Sequence, residues 1–83
     1  MFYTYILQSE KDNSFYIGST SDLRKRFAEH NNGKSHYSKH LRPWKLIYYE
    51  AFTVNSLAIS REFALKKRAK SFQELLKRLG LKR

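Results

Sequence analysis

Cysteine is absent from the 83 residues, which excludes disulfide staples and thiolate metal sites. Histidine is scarce, with three scattered copies, so a zinc cage built wholly from protein ligands is not expected. No apolar run approaches the roughly 20 residues that cross a bilayer. The opening MFYTYILQSEKD also lacks the basic n-region and long apolar stretch of a secretory signal. These absences predict a soluble, intracellular, cytoplasmic protein with no membrane partner. Acidic residues are scarce too: seven Asp and Glu oppose seventeen Lys and Arg, a formal net charge of +10. Such an excess costs self-repulsion, and its commonest use is to meet a polyanion. The excess is uneven. Residues 1–60 carry eight basic and five acidic side chains, and residues 61–83 carry nine and two. Nucleic acid is the expected partner, ahead of an anionic membrane surface, although a ribosomal or chromosomal binder would have the same charge.

The chain is long enough for one domain, 1–83, with one modest core. Phe2 to Gln8 is rich in aromatic and β-branched residues and predicts a strand. SEKDNS, with Asp12-Asn13, predicts a turn, and Phe15 to Ser19 a second strand closing a hairpin. Thr20, Ser21 and Asp22 supply capping chemistry for a helix from Leu23 to His30, which Asn31-Asn32-Gly33 stops. A basic loop, Lys34 to Pro43, leads to a third strand, Trp44 to Phe52. Thr53 or Asn55 is placed to cap a longer helix from about Val54 to Lys70. A basic C-terminal helix over about 71–80 follows, ended by Gly80. The order predicts an α/β (α+β) domain with helices packed on a mostly antiparallel sheet.

At about 100° per residue, Leu23 and Phe27 define the apolar stripe of the first helix, with Arg26 and His30 beside it. A guanidinium at the rim of a core is pre-oriented for phosphate, but it can equally snorkel from the rim. Glu62 falls within the apolar arc of the long helix. Burying a carboxylate is costly unless it is paired or binds a metal, so a salt bridge (to Arg26, for instance) and a single hard-cation site are both open. Tyr5 and Tyr16 are the tyrosines that the hairpin brings close to the Arg26 helix. A tyrosine acting as a base must be tuned down from about 10, which a nearby cation can do. Trp44, Tyr48 and Tyr49 are open between stacking on bases and packing in the core. Phe72, Leu75, Leu76 and Leu79 mark a helix face that either covers the sheet or meets a second copy.

The segment YTYILQSEKDNSFYIGSTSDLRKRFAEHN resembles the GIY-YIG nuclease domain in its small stand-alone bacterial form. Tyr16-Ile17-Gly18 keeps the second half of the signature, while Tyr3-Thr4-Tyr5 stands where Gly-Ile-Tyr would be. The likeness runs on through Ser19, Leu23, Arg26 and His30 to Glu62, and covers the chain to about Leu76. The asparagine that some members carry after the glutamate has no counterpart in KKRAKSFQELLKR.

The resemblance implies a three-stranded antiparallel sheet flanked by helices, and a metal-dependent endonuclease acting on DNA in the bacterial cytosol or nucleoid, with DNA repair among the family's roles. Tyr16, assisted or replaced by Tyr5, would be the general base. Arg26 would steady the scissile phosphate and His30 orient a tyrosine. Glu62 would hold one divalent cation, magnesium or its substitute manganese. Lys25, Lys34, Lys39, Arg42, Lys66, Lys67, Arg68 and Lys70 are the expected phosphate contacts. Phosphate contacts position while base contacts specify, so cleavage would be structure-directed or of low specificity. The alternative is a catalytically weak or inactive nucleic-acid-binding module that needs a protein partner or a homodimer for targeting.

Overall fold

The polar stretch SEKDNS turns the chain as its residues dictate. Asn13 adopts a left-handed φ of 65°, and the Asp12 carboxylate accepts from the Ser14 amide and hydroxyl at 3.0 and 2.7 Å. The turn joins β1 (Phe2–Ser9) to β2 (Phe15–Thr20) in an antiparallel hairpin that pairs Tyr5 with Gly18 and Leu7 with Tyr16. The third strand, β3 (Trp44–Phe52), is antiparallel on the other side of β1, so the order is β2-β1-β3. The computed structural model describes residues 1–81. Lys82 and Arg83, the end of the basic C-terminal stretch, lie outside the described residues.

Helices cover both faces of the sheet. On one, Leu23 and Phe27 of α1 (Leu23–Asn31) pack with Tyr5, Leu7, Tyr16 and Trp44. On the other, Leu65 of α2 (Asn55–Lys67) and Phe72 and Leu75 of α3 (Ala69–Arg78) pack with Ile6 and Ile17. Successive strand residues point to opposite faces, so the central strand is buried from Thr4 through Leu7 instead of alternating. Each large side chain fully buried here contributes roughly 1.5–3 kcal/mol. The last helix covers the sheet: Leu75 and Leu76 are buried, and Phe72 meets Phe15 edge-on at 5.4 Å. A register shift at Ile6/Leu7 lets Tyr48 face α2 and Leu46 face α1.

The caps largely follow the sequence. Asp22 accepts from the Lys25 amide at 3.1 Å. Gly33, with φ 76°, ends α1, and the Lys34 amide reaches back to the Glu29 carbonyl. Gly80 ends α3, with amides of Gly80 and Leu81 closing on Lys77 and Leu76. The long helix departs from expectation at both ends. Val54 is its N-cap and makes no side-chain cap bond, so neither Thr53 nor Asn55 plays that part. It stops at Lys67, because Arg68 leaves the helical region at φ −108°, ψ 91°. No glycine or proline marks this break. Its physical reason is packing: the bend returns Phe72 and Leu75 to the core that Leu65 already joins.

Candidate functional site

Gly18 sits on edge strand β2 directly across from Tyr5, and the Tyr5 ring lies over it. A Cβ at Gly18 would fall 2.5 Å from the Tyr5 hydroxyl oxygen and 2.7 Å from Cζ. Glycine is therefore required here by close approach rather than by backbone angle. The bare backbone lets Tyr5 stack beside Tyr16, with ring centroids 6.3 Å apart.

Beneath the two tyrosines lies His30, delivered by the last turn of α1 and wholly buried. Its Nε2 shares a hydrogen bond of 2.9 Å with the Tyr5 hydroxyl, and its Nδ1 shares one of 2.6 Å with Ser38 Oγ. The Tyr16 ring meets the imidazole edge-on at 4.6 Å. Burial, seconded by the Arg26 charge, pushes His30 down to about 4. It is neutral at physiological pH, and either tautomer satisfies both partners. Burial and the neighbouring Tyr16 push Tyr5 up to about 12, against the opposing pull of Arg26. Tyr5 is therefore a protonated hydrogen-bonding group at neutral pH, not a ready base.

Arg26 lies at the rim of this cluster and interacts with both tyrosine hydroxyls. Its Nη1 donates to Glu29 at 3.0 Å and its Nη2 to Ser35 Oγ at 3.4 Å. The side chain keeps about a third of its surface in solvent (32%). It is a half-desolvated, pre-oriented cation of the kind that suits a phosphate.

Glu62 approaches from the opposite face, on α2. Its side chain is 21% exposed. Oε1 accepts from Ser19 Oγ on β2 at 2.6 Å, and Oε2 from Lys66 Nζ at 2.6 Å. Its ion-pair partner is thus Lys66 and not Arg26. The charge still reaches Tyr5, so the five expected residues gather around the β2 edge, four from the α1 face and Glu62 from the α2 face. Among the described residues no group of three or more His, Cys, Asp or Glu side chains could hold a metal. A lone, partly exposed carboxylate fits only a hard cation that keeps most of its waters, as magnesium does, and Lys66 would have to yield to it.

The expected phosphate contacts divide. Lys66 reaches the site through Glu62. Lys67 lies over the Phe63 ring at 5.3 Å, and the Arg42 guanidinium packs over Gly33. Lys25, Lys34, Arg68 and Lys70 are exposed and Lys39 is half-buried. Of the three aromatics left open, Trp44 is core and donates to the Ser38 carbonyl. Tyr48 donates to Glu50, and Tyr49 is exposed. Sequence reasoning missed Ser35, Ser38 and Glu29, and gave Ser19 no role. Ser35 and Ser38 lie in a polar loop with no periodic signal, whereas Glu29 stands three residues from Arg26 on a helix, a pairing that spacing could have found.

Three comparisons with known proteins agree. The model of the GIY-YIG catalytic domain matches residues 1–76. A UPF0213 protein of Streptococcus pyogenes (strain Manfredo) is 42% identical over 74 residues, 88% of this chain and 79% of the relative. A UPF0213 protein of the same species (strain SSI-1) has the same identity and coverage. The solution structure of the UPF0213 protein BH0048 from Bacillus halodurans aligns with a TM-score of 0.55 at 33% identity. It covers 90% of this chain and 83% of that one.

Proposed function

This chain belongs to the GIY-YIG family, and on that premise we propose that it is a nucleic-acid-binding module whose phosphodiester-hydrolysing site is restrained when the domain acts alone. The observation that carries this reading is the Glu62 carboxylate, with one oxygen held by Ser19 and the other by Lys66. The group best suited to receive a cation is already neutralised by a lysine. The net charge of +10 supports a polyanion as partner, bound through phosphates in a salt-sensitive way. DNA is the expected form, and a partner or second copy would supply targeting.

A second reading, a competent metal-dependent endonuclease, is favoured by the assembly of Tyr5, Tyr16, Arg26 and His30 at one strand edge. In both readings the residues have the same parts. Arg26 binds a non-bridging phosphate oxygen and offsets the charge that develops on it. Tyr16, in its phenolate form, takes a proton from the attacking water as the water oxygen bonds to phosphorus; the bond to the leaving 3′-oxygen breaks, and that oxygen takes a proton from solvent. Tyr5, protonated and tied to neutral His30, positions Tyr16 and excludes water from behind it. Glu62 would hold one hydrated divalent cation, magnesium or manganese, which when bound supplies charge neutralisation at the leaving oxygen.

The test is to mix the full chain with labelled duplex and single-stranded DNA at low salt, with and without magnesium, following binding and cleavage together. Tight binding with slow cleavage is expected. Rapid multiple turnover would replace the first reading by the second, and no binding to either DNA would overturn both.

A further inference from the structure

A groove of about 460 Å³ opens on the β3 side of α1, away from Arg26. Tyr3 and Tyr49 form one wall, edge-to-face at 6.0 Å. Phe27 and Leu46 line it further, and Arg24 and Asp22 stand at the helix end. The size lies within the range of small-ligand sites. Tyr49 is 53% exposed, so its ring is available rather than consumed by the core. Tyr3 stands where the family signature has glycine, and it is this departure that builds the wall.

We propose that this groove is a subsite for one unpaired nucleobase of the nucleic acid whose backbone lies at Arg26, an inference that rests on the binding function above. Charge decides between base and phosphate. Within the groove the single arginine is offset by the single aspartate, so in a chain of net charge +10 this is a neutral, aromatic place. It fits an uncharged ring that stacks, not an anion. Position supports the same occupant. Gly18 and Tyr49 flank Tyr5 on its two neighbouring strands, which sets the Tyr49 wall one interstrand spacing from Tyr5 and two, about 10 Å, from the β2 edge that carries Tyr16. That is a reach for a strand that crosses the start of α1. A base held in a duplex cannot enter the groove, so the subsite favours single strands, flaps and frayed ends over continuous duplex.

The test compares wild type, Tyr49→Ala and Tyr49→Phe, binding a labelled oligothymidine strand and a blunt duplex of equal length by fluorescence anisotropy. Stacking on an aromatic side chain supports a loss of about 5- to 100-fold in single-strand affinity for Tyr49→Ala. Tyr49→Phe should retain wild-type affinity, and duplex affinity should change less than about twofold in both. Amide chemical shifts around Tyr49 and Phe27 of the wild type should move with trithymidylate but not with ribose 5-phosphate, a readout that needs no variant. Single-strand binding indifferent to Tyr49, or shifts induced equally by ribose 5-phosphate, would overturn the subsite and leave the binding function standing. No binding of either DNA by wild type would overturn both.

Discussion

The Tyr5 hydroxyl and His30 Nε2 share a 2.9 Å hydrogen bond in a position solvent does not reach. The bond ties β1 to α1, and through Ser38 Oγ it also ties the basic loop to both. Truncating His30 to alanine removes the middle of this line, leaving the buried Ser38 hydroxyl without its partner and the Tyr5 hydroxyl with Arg26 alone, beside a cavity. A loss of about 2–4 kcal/mol is expected, read from urea denaturation. A loss under about 0.5 kcal/mol would mean that the line contributes little.

The same residues set a pH window. His30 titrates near 4 when folded, against 6.5 for the free side chain. Between these values the unfolded chain binds a proton that the folded chain refuses, so stability falls as pH drops through this interval. The loss is on the order of 3 kcal/mol when complete. Tyr5 acts at the other end: raised from 10.0 to about 12, it gives stability that is full below pH 10 and declines as pH rises toward 12. Urea midpoints across pH should show the acid slope in wild type and a shallower one in His30→Gln.

Gly18→Ala is a small change with a large expected effect. Its Cβ would displace the Tyr5 hydroxyl, costing about 1–3 kcal/mol by overpacking. DNA binding should survive while cleavage is lost. A Gly18→Ala protein with wild-type stability and cleavage would show that Tyr5 moves aside freely.

Lys66 and Glu62 offer a separable test. The Lys66 side chain is 49% exposed, so the pair should contribute no more than about 1 kcal/mol to stability. Lys66→Gln frees Oε2, and the magnesium concentration that supports half-maximal cleavage should fall several-fold. An unchanged or higher requirement would remove Lys66 as the restraint.

Much of this architecture is legible in the residues. Stretches rich in aromatic and β-branched residues, the Asp12-Asn13 turn, the Asp22 cap and the two terminal glycines each place an element within a residue or two. Tyr5, Tyr16, Arg26 and His30 could be brought together because a hairpin and the following helix are neighbours in sequence. Glu62 could be marked as out of place on an apolar arc, but its partners could not be read. Lys66 is one of two adjacent lysines at the end of its helix, and Ser19 reaches Glu62 only because the register sets β2 against α2. The break at Arg68 is silent for a related reason: it is imposed by the core shared by Leu65 and Leu75, not by a local breaker.

The central claim is that Tyr16 and Glu62 form one phosphodiester-hydrolysing site, held back by Lys66. The most direct measurement is magnesium-dependent cleavage of end-labelled single-stranded, duplex, flap and four-way DNA at low salt. Wild type, Tyr16→Phe, Glu62→Ala and Lys66→Gln would be run side by side. Slow cutting by wild type is expected, none by Tyr16→Phe or Glu62→Ala, and faster cutting at limiting magnesium by Lys66→Gln. Cutting that persists in both Tyr16→Phe and Glu62→Ala would contradict it.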